Sequence, residues 1–302
     1  MTSQEISGDA IDCVLPSQAN VGESPVWHPA EQRLYWIDIQ ECKIHRFDPK
    51  SKRNETLSLP EIVTCIQLRA NGGLVLTLKK DFAIFDPANQ RLERLSTVEA
   101  DQPANRFNDG KCDPQGRFWA GTMDAKEWKK PSGHLYRMDA SHRVTLMRSQ
   151  VICANGSGWS HDGRTMYHTE SFRYAIFAYD FDPATGNIEN RRAFAEISDE
   201  DRAAGGFPDG MTVDAQGFVW SNLVGVGKII RLDPAGKVER TVIMPVPRAT
   251  DCTFGGPDLK TLYITSARET MTPQQLQQFP MSGSLFAVET GIRGTLATPF
   301  AG

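Results

Sequence analysis

The chain has 302 residues, a formal net charge of −4 and 40% hydrophobic residues. It shows neither a basic patch nor a basic tail, which argues against nucleic acid as a partner. No apolar run approaches the roughly 18 residues of a membrane-spanning helix, and the polar N-terminus does not resemble a signal peptide. Six scattered cysteines without a CxxC pair fit reduced thiols. We therefore expect a cytoplasmic protein without membrane or nucleic-acid partners, as a monomer or a weak homo-oligomer.

The chain begins with a polar segment, residues 1–10, which is predicted to be a disordered tail, and residues 11–302 are predicted to form a single domain. Residues 11–15 predict a short strand. After it, one unit recurs along the chain: a tight polar turn followed by a strand of alternating aromatic and aliphatic residues. These turns begin at His28, Arg69, Asp113, Ser160, Asp214 and Gly256.

This repeat has a period of about 40–55 residues with about four short strands in each unit, which is typical of a β-propeller blade. We predict an all-β, six-bladed β-propeller. The N-terminal strand 11–15 would complete the last blade, beside residues 284–288 and 295–299.

Three segments interrupt the rhythm of the repeat, at residues 124–132, 198–206 and 269–279. The last of them predicts a helix, because Thr272 is a suitable N-cap and Pro273 follows at the first helical position. We expect these insertions to lie at the rim of one face.

The repeat also indicates candidate functional residues. The innermost strands of a propeller surround a central channel, so equivalent positions in the blades form a ring around it. The position about eight residues before each turn glycine, or its equivalent, holds Glu23, Thr64, Asn108, Asn155, Asp209 and Asp251. Most of these side chains are carboxylates or carboxamides, which are the ligands that hard divalent cations prefer. The sequence therefore predicts a central metal site.

Each ring residue also has an alternative interpretation. Asp209 in PDG and Asn155 in NG are common turn formers, and Glu23 is equally well suited to capping a backbone N–H. Arg106 is either a donor fork for substrate oxygens or the partner of a surface carboxylate. His168 either faces the channel or has a structural role. The histidines are not clustered, and P-loop, GxSxG, HExxH and Rossmann motifs are absent.

Several motifs resemble the senescence marker protein (regucalcin)/gluconolactonase/luciferin-regenerating-enzyme family over nearly the whole chain. They include RFNDGK followed by DPQGRFWAGTM, then FPDGMTVD and GGPDLKTLYITSAR. The last is more similar to the bacterial sugar lactonases of the family. The resemblance implies a six-bladed propeller that binds one divalent cation, which would be Ca²⁺, Zn²⁺, Mn²⁺ or Fe²⁺. It also implies that the protein hydrolyses a sugar lactone. It implies Glu23, Asn155 and Asp209 as metal ligands and Arg106 and Asn108 as substrate contacts.

One position departs from the family pattern. The family carries an acidic substrate contact shortly after GTM, where this chain has Lys126, so Asp124 or Glu127 would have to take its place. Asp251 receives no role from the resemblance and is a candidate for supporting the ligands.

The resulting hypothesis is metal-dependent hydrolysis of a sugar-acid (aldono) lactone. The cation would polarise the carbonyl and activate water, and Asp209 would be the catalytic base. A phosphotriesterase-like hydrolase and a non-catalytic calcium-binding propeller are the alternatives, and the fold alone decides between none of them.

Overall fold

The structure, a computed structural model, describes residues 4–302. It begins with strands β1 (Gln4–Ile6) and β2 (Ile11–Leu15), separated by a 3₁₀ helix at Gly8–Ala10. The remaining strands form six sheets arranged as the blades of a propeller, which confirms the predicted fold.

Each blade contains four antiparallel strands that follow one another from the centre outwards, except that blade six takes its outermost strand from the N-terminus. The sheet of blade five gains β1 as a fifth strand at its outer edge. The strands of blades one to three are β3 (Gly22–His28), β4 (Arg33–Asp38), β5 (Lys43–Asp48), β6 (Arg53–Ser58); β7 (Val63–Leu68), β8 (Leu74–Leu78), β9 (Asp81–Asp86), β10 (Arg91–Thr97); and β11 (Asn105–Cys112), β12 (Phe118–Asp124), β13 (Gly133–Met138), β14 (Val144–Val151). Those of blades four to six are β15 (Ala154–Trp159), β16 (Thr165–Glu170), β17 (Ala175–Phe181), β18 (Ile188–Glu196); β19 (Phe207–Val213), β20 (Val219–Val224), β21 (Lys228–Leu232), β22 (Val238–Ile243); and β23 (Ala249–Gly255), β24 (Thr261–Ser266), β25 (Leu285–Glu289).

The propeller is closed by β2, which pairs antiparallel with β25 from Ile11 opposite Val288. This confirms the predicted closure. The predicted participation of residues 295–299 is wrong, because β2 already occupies the outer edge of blade six. That segment instead crosses one face of the propeller, from a bridge between Gly294 and Asp214 to a bridge between Phe300 and Arg69.

The N-terminal segment is ordered further than predicted. Strand β1 lies parallel to β22, with Gln4 opposite Arg240, and Arg240 Nη2 donates to Gln4 Oε1 at 2.6 Å. A disordered tail is therefore wrong for residues 4–10, since β1 pairs with the open edge of blade five. Residues 1–3 lie outside the described residues, and the single domain over residues 11–302 stays a prediction.

Two of the insertions contain short helices, α1 (Asp199–Ala203) and α2 (Pro273–Gln278). Helix α2 begins as predicted, with a capping box: Thr272 Oγ1 accepts from the Gln275 N–H at 3.2 Å, and Gln275 Oε1 accepts from the Thr272 N–H at 2.9 Å. A 3₁₀ turn at Ser171–Arg173 follows β16. No helix within residues 4–302 is long and apolar enough to cross a membrane.

The core lies between neighbouring blades, where the inward-facing aromatic and aliphatic residues of the repeat are packed. Trp119 and Trp220 occupy equivalent places in the second strands of blades three and five, and both are completely buried. Trp36, at a different place in the second strand of blade one, is almost completely buried. The six cysteines are free. Close packing of these layers gives the channel a rigid wall.

Candidate active site

The innermost strand of every blade loses its regular pairing at about the same level of the channel. Such β-bulges redirect side chains out of the normal alternation and are frequent beside active sites. In blades three, four and five the pairing is interrupted between Phe107 and Gly110, Ala154 and Ser157, and Pro208 and Met211. The first residues left unpaired are Asn108, Asn155 and Asp209. In blade one, Glu23 directly precedes the equivalent bulge.

Blade six departs from this pattern, because its bulge begins one residue further from the turn. Pairing is interrupted between Ala249 and Cys252, so that Thr250 is the first unpaired residue and lines the cavity described below. Asp251, the residue predicted for the ring, is buried, accepts a hydrogen bond from the Cys252 N–H at 2.7 Å, and is not among the cavity-lining residues. It packs against Gly210, where an added Cβ would lie 2.1 Å from Asp251 Oδ1. In blade two, Thr64 bonds to Thr77 Oγ1 at 2.8 Å and does not line the cavity either.

A cavity that is open to solvent lies at the level of these bulges. It brings together all five residues predicted to bind metal or substrate, and further charged and aromatic side chains join them. Its principal lining residues are Glu23, Arg106, Asn108, Trp128, Asn155, Phe172, Phe207, Asp209, Arg248, Thr250 and Glu269.

Glu23, Asn155 and Asp209 present oxygens that the protein itself leaves largely unbonded. The side-chain amide of Asn155 donates to Ser171 Oγ at 2.8 Å, which orients the group. Glu23 Oε2 accepts only from the Ser24 N–H, at 3.0 Å, and within residues 4–302 no hydrogen bond reaches the Asn155 amide oxygen or the Asp209 carboxylate.

The electrostatics of these carboxylates also favour a cation. Burial raises the pKa of Glu23, and the charges of Asp209, Asp251 and Asp109 raise it further. Burial likewise raises the pKa of Asp209, again with Asp109 and Asp251 as like-charged neighbours. A nearby divalent cation would stabilise the ionised forms.

Two carboxylates and one amide oxygen suit a hard divalent cation, so the donor set fits the predicted metal site. No group of three or more His, Cys, Asp or Glu side chains in the described part of the chain is arranged to hold a metal. The predicted set contains only two such side chains.

Arg106 and Asn108 form a connected pair on one wall of the cavity. Arg106 Nη1 donates to Asn108 Oδ1 and to the Phe107 carbonyl, both at 2.8 Å, while Asn108 Nδ2 donates to the Ala154 carbonyl at 2.9 Å. These bonds fix both side chains. Because the amide oxygen of Asn108 is already engaged, the pair is better arranged for holding a substrate than for ligating metal.

Three further candidates lie away from the cavity. Asp124 is buried and accepts from the N–H groups of Lys126 and Glu127, both at 2.9 Å, so it closes the turn of the insertion. Glu127 is exposed at the outer rim. His168 is buried within blade four, with Ser157 Oγ 3.1 Å from its Nδ1. The structure brings none of them to the cavity.

The cavity also contains residues that the sequence did not single out. Arg248 and Glu269 add charge, and Trp128, Phe172 and Phe207 form an aromatic wall whose ring centroids lie 6.3 Å and 5.0 Å apart. A weak signal existed for Arg248, which lies three residues before Asp251 much as Arg106 lies two before Asn108.

Comparison with known proteins agrees with this arrangement. The model of the SMP-30/gluconolactonase/LRE-like region matches residues 21–268. The chain belongs to this family. Regucalcin from Oryctolagus cuniculus is 38% identical over 98% of this chain and 100% of its own length, and 6-deoxy-6-sulfogluconolactonase from Pseudomonas putida is 38% identical over 97% and 99%. The solved structure of a luciferin-regenerating enzyme, 30% identical, superposes with a TM-score of 0.87 over 94% of this chain and 96% of that one.

These family relatives confirm the resemblance predicted from the motifs. The animal and the bacterial relative are equally similar to this family member, so overall identity does not favour the bacterial type over the animal type.

Proposed function

We propose that the protein hydrolyses the lactone of a sugar acid, an aldonolactone, to the aldonic acid, and that it needs one divalent cation to do so. Its family includes the gluconolactonases, and the Pseudomonas putida relative is named for a gluconolactone derivative. One observation carries the proposal: Glu23, Asn155 and Asp209, from three different blades, line one cavity together with the Arg106–Asn108 pair.

The cavity residues divide the chemistry among them. Glu23, Asn155 and Asp209 would bind the cation, which would supply Lewis-acid chemistry to the lactone carbonyl. Arg106 and Asn108 would hold the sugar hydroxyls or the ring oxygen. The Asp209 carboxylate would orient the attacking water or take its proton. The water oxygen bonds to the carbonyl carbon, the ring C–O bond breaks, and the ring oxygen ends as a hydroxyl of the product.

The proposal is tested with metal-stripped protein to which Ca²⁺, Zn²⁺, Mn²⁺ or Fe²⁺ is restored separately. Acid release is measured on five- and six-membered aldonolactones and, for the phosphotriesterase alternative, on an organophosphate ester. The spontaneous hydrolysis of each substrate is subtracted. We expect lactone turnover that depends on metal and exceeds the organophosphate rate.

Variants of the proposed ligands, compared with a control variant, test whether the metal and the activity depend on this cavity. Glu23→Gln and Asp209→Asn should lose both bound metal and turnover, whereas Glu93→Gln, an exposed glutamate on blade two, should retain both. Calcium binding without lactone turnover under any metal would favour the non-catalytic alternative. Full metal content in Asp209→Asn would show that the ligand set is wrong.

We also propose a cytoplasmic location, which is supported by the six free cysteines, four of them buried. The proposed partner is the small-molecule lactone, bound by a monomer or a weak homo-oligomer.

A further inference from the structure

Arg248 differs from Arg106 in having no partner for its buried donor. Its Nε is shielded from solvent and has no hydrogen-bond acceptor among residues 4–302. In that part of the chain no carboxylate oxygen lies within 4.0 Å of the Arg248 guanidinium, the distance that defines an ion pair. Arg106, by contrast, donates to Asn108 and to a backbone carbonyl. Four other arginines of the described chain have a buried Nε without an acceptor, but Arg248 also lines the cavity. A guanidinium at a cavity wall that makes no hydrogen bond within residues 4–302 can donate to an acceptor that arrives with a ligand.

The backbone that carries Arg248 is fixed on both sides. The Pro247 carbonyl accepts from the N–H groups of Gly225 at 2.8 Å and Gly227 at 3.1 Å, and the Arg248 carbonyl accepts from the Ala267 N–H at 2.9 Å. Pro247 also restricts the chain directly before the arginine. The side chain is therefore presented by a rigid segment, as binding sites require.

Arg248 stays charged in its surroundings, although the nearby carboxylates Asp209 and Glu269 partly offset its attraction for an anion. Burial lowers the pKa of Arg248, but an arginine remains protonated in proteins, and the charges of Asp209 and Glu269 favour the protonated form. Phe207 and Phe172 line the same cavity. Apolar walls lower the local dielectric, so a charge pair formed inside the cavity is stronger than one at the surface.

We propose that Arg248 binds an anionic substituent of the substrate, so that the cavity selects a lactone bearing a carboxylate, sulfonate or phosphate over its neutral counterpart. The planar guanidinium fork matches the paired oxygens of all three groups. This inference rests on the proposed lactonase function and names the substrate class of the same cavity.

The first test compares glucono-1,5-lactone with its 6-phospho and 6-sulfo derivatives and with the monolactone of the corresponding dicarboxylic acid, which separates the three anions. The measured quantity is the ratio of kcat/KM for each anionic lactone to that for the neutral one. We expect the ratio to exceed about ten for at least one anion in the native protein and to fall about ten- to a hundredfold in Arg248→Met. Arg268→Met is the matched control, because Arg268 donates to Gln18 and does not line the cavity.

A second measurement does not require turnover. Calorimetry compares the binding of sorbitol and sorbitol 6-phosphate, neither of which contains a lactone. Tighter binding of the phosphate that is lost in Arg248→Met supports the anion site even if the lactonase proposal fails. A native protein that prefers the neutral lactone and the neutral polyol overturns the inference. An equal loss on neutral and anionic lactones in Arg248→Met also overturns it, since Arg248 would then only balance Asp209 and Glu269.

Discussion

Asp214 Oδ2 accepts a hydrogen bond from Trp220 Nε1 at 2.8 Å, while Asp214 Oδ1 accepts from two backbone N–H groups of the intervening turn. The same arrangement occurs at Asp113, whose Oδ2 accepts from Trp119 Nε1 at 2.9 Å. Both aspartates are fully buried. The repeated D-x-Q-G-x-x-W pattern is therefore a turn in which one carboxylate both closes the backbone and satisfies a buried indole.

We predict that Asp214→Ala destabilises the protein by about 3–5 kcal/mol, because the turn N–H groups, the buried Trp220 indole and Arg231 Nε, which donates to Asp214 Oδ2 at 2.8 Å, all lose their acceptor. Of its ion pairs, Arg231 keeps the one with Glu239, at 2.9 Å. The free energy of unfolding is measured in urea. Asp233→Ala is the control, since Asp233 accepts from two N–H groups of a similar but exposed turn and should cost only about 1 kcal/mol. Equal losses in the two variants would contradict the role of the indole and the arginine.

Ser171 is expected to tune metal binding through Asn155, because its hydroxyl accepts the hydrogen bond that orients the Asn155 amide. Ser171→Ala should weaken metal affinity about 10–100-fold, as is typical when a group that orients a ligand is removed. The dissociation constant is measured by competition with a chelator. Ser160→Ala, in an exposed turn of the same blade, should leave it unchanged. Native affinity in Ser171→Ala would exclude Asn155 as a ligand positioned in this way.

Arg106 is predicted to act on the substrate and not on the metal. Arg106→Ala should raise KM or lower kcat on a sugar lactone by about tenfold or more. The metal content should not change, because Arg106 is not one of the predicted metal ligands. Metal content and kinetics are measured on the same preparation, with Arg192→Ala, a surface arginine paired with Asp180, as the control. Loss of metal in Arg106→Ala would place the arginine among the groups that support the cation.

The fold was predictable because its signals are local. Each D-x-Q-G turn and the strand after it can be recognised within about a dozen residues, and the buried tryptophans mark equivalent places in different blades. Strand 11–15 was also recognisable, since a propeller needs its last blade closed. The pairing of β1 with blade five was not, because nothing in a short polar segment specifies which open edge it will join.

The ring of channel residues was predictable only as far as the bulges keep their spacing from the turns. Asn108, Asn155 and Asp209 share that spacing and reach the cavity, whereas the shifted bulge of blade six replaces Asp251 by Thr250. A one-residue shift of a bulge leaves no trace in composition or alternation. The place of Arg248 in the cavity was not predictable for a related reason. Arg248 lies on a connection between two blades, and the path of that connection depends on the packing of its neighbours.

Stability should decrease as the pH falls, because two buried histidines stay neutral in the folded protein. Burial, with a smaller contribution from Lys43, lowers the pKa of His45 from 6.5 to about 4, and burial lowers that of His168 from 6.5 to about 4. His45 stacks on Trp36 at 4.0 Å between ring centroids and meets Asn54 Nδ2 at 2.9 Å. Since the folded pKa lies below the unfolded one, the unfolded chain binds more protons between these values.

The stability that depends on these histidines is therefore fully present above about pH 6.5 and is lost as the pH falls towards about 4, by up to about 1.4 kcal/mol per pH unit for each group. Urea unfolding between pH 7.5 and 4.5 measures how steeply the free energy of unfolding changes with pH. The titration of the carboxylates contributes equally in all variants, so differences between variants report the histidines. His45→Gln should make the slope shallower, and His161→Gln, at an exposed turn, should not. If His45→Gln and the native protein lose stability in parallel over this range, the imidazole of His45 is already able to take up a proton in the folded state, and its burial against Trp36 does not exclude the charge.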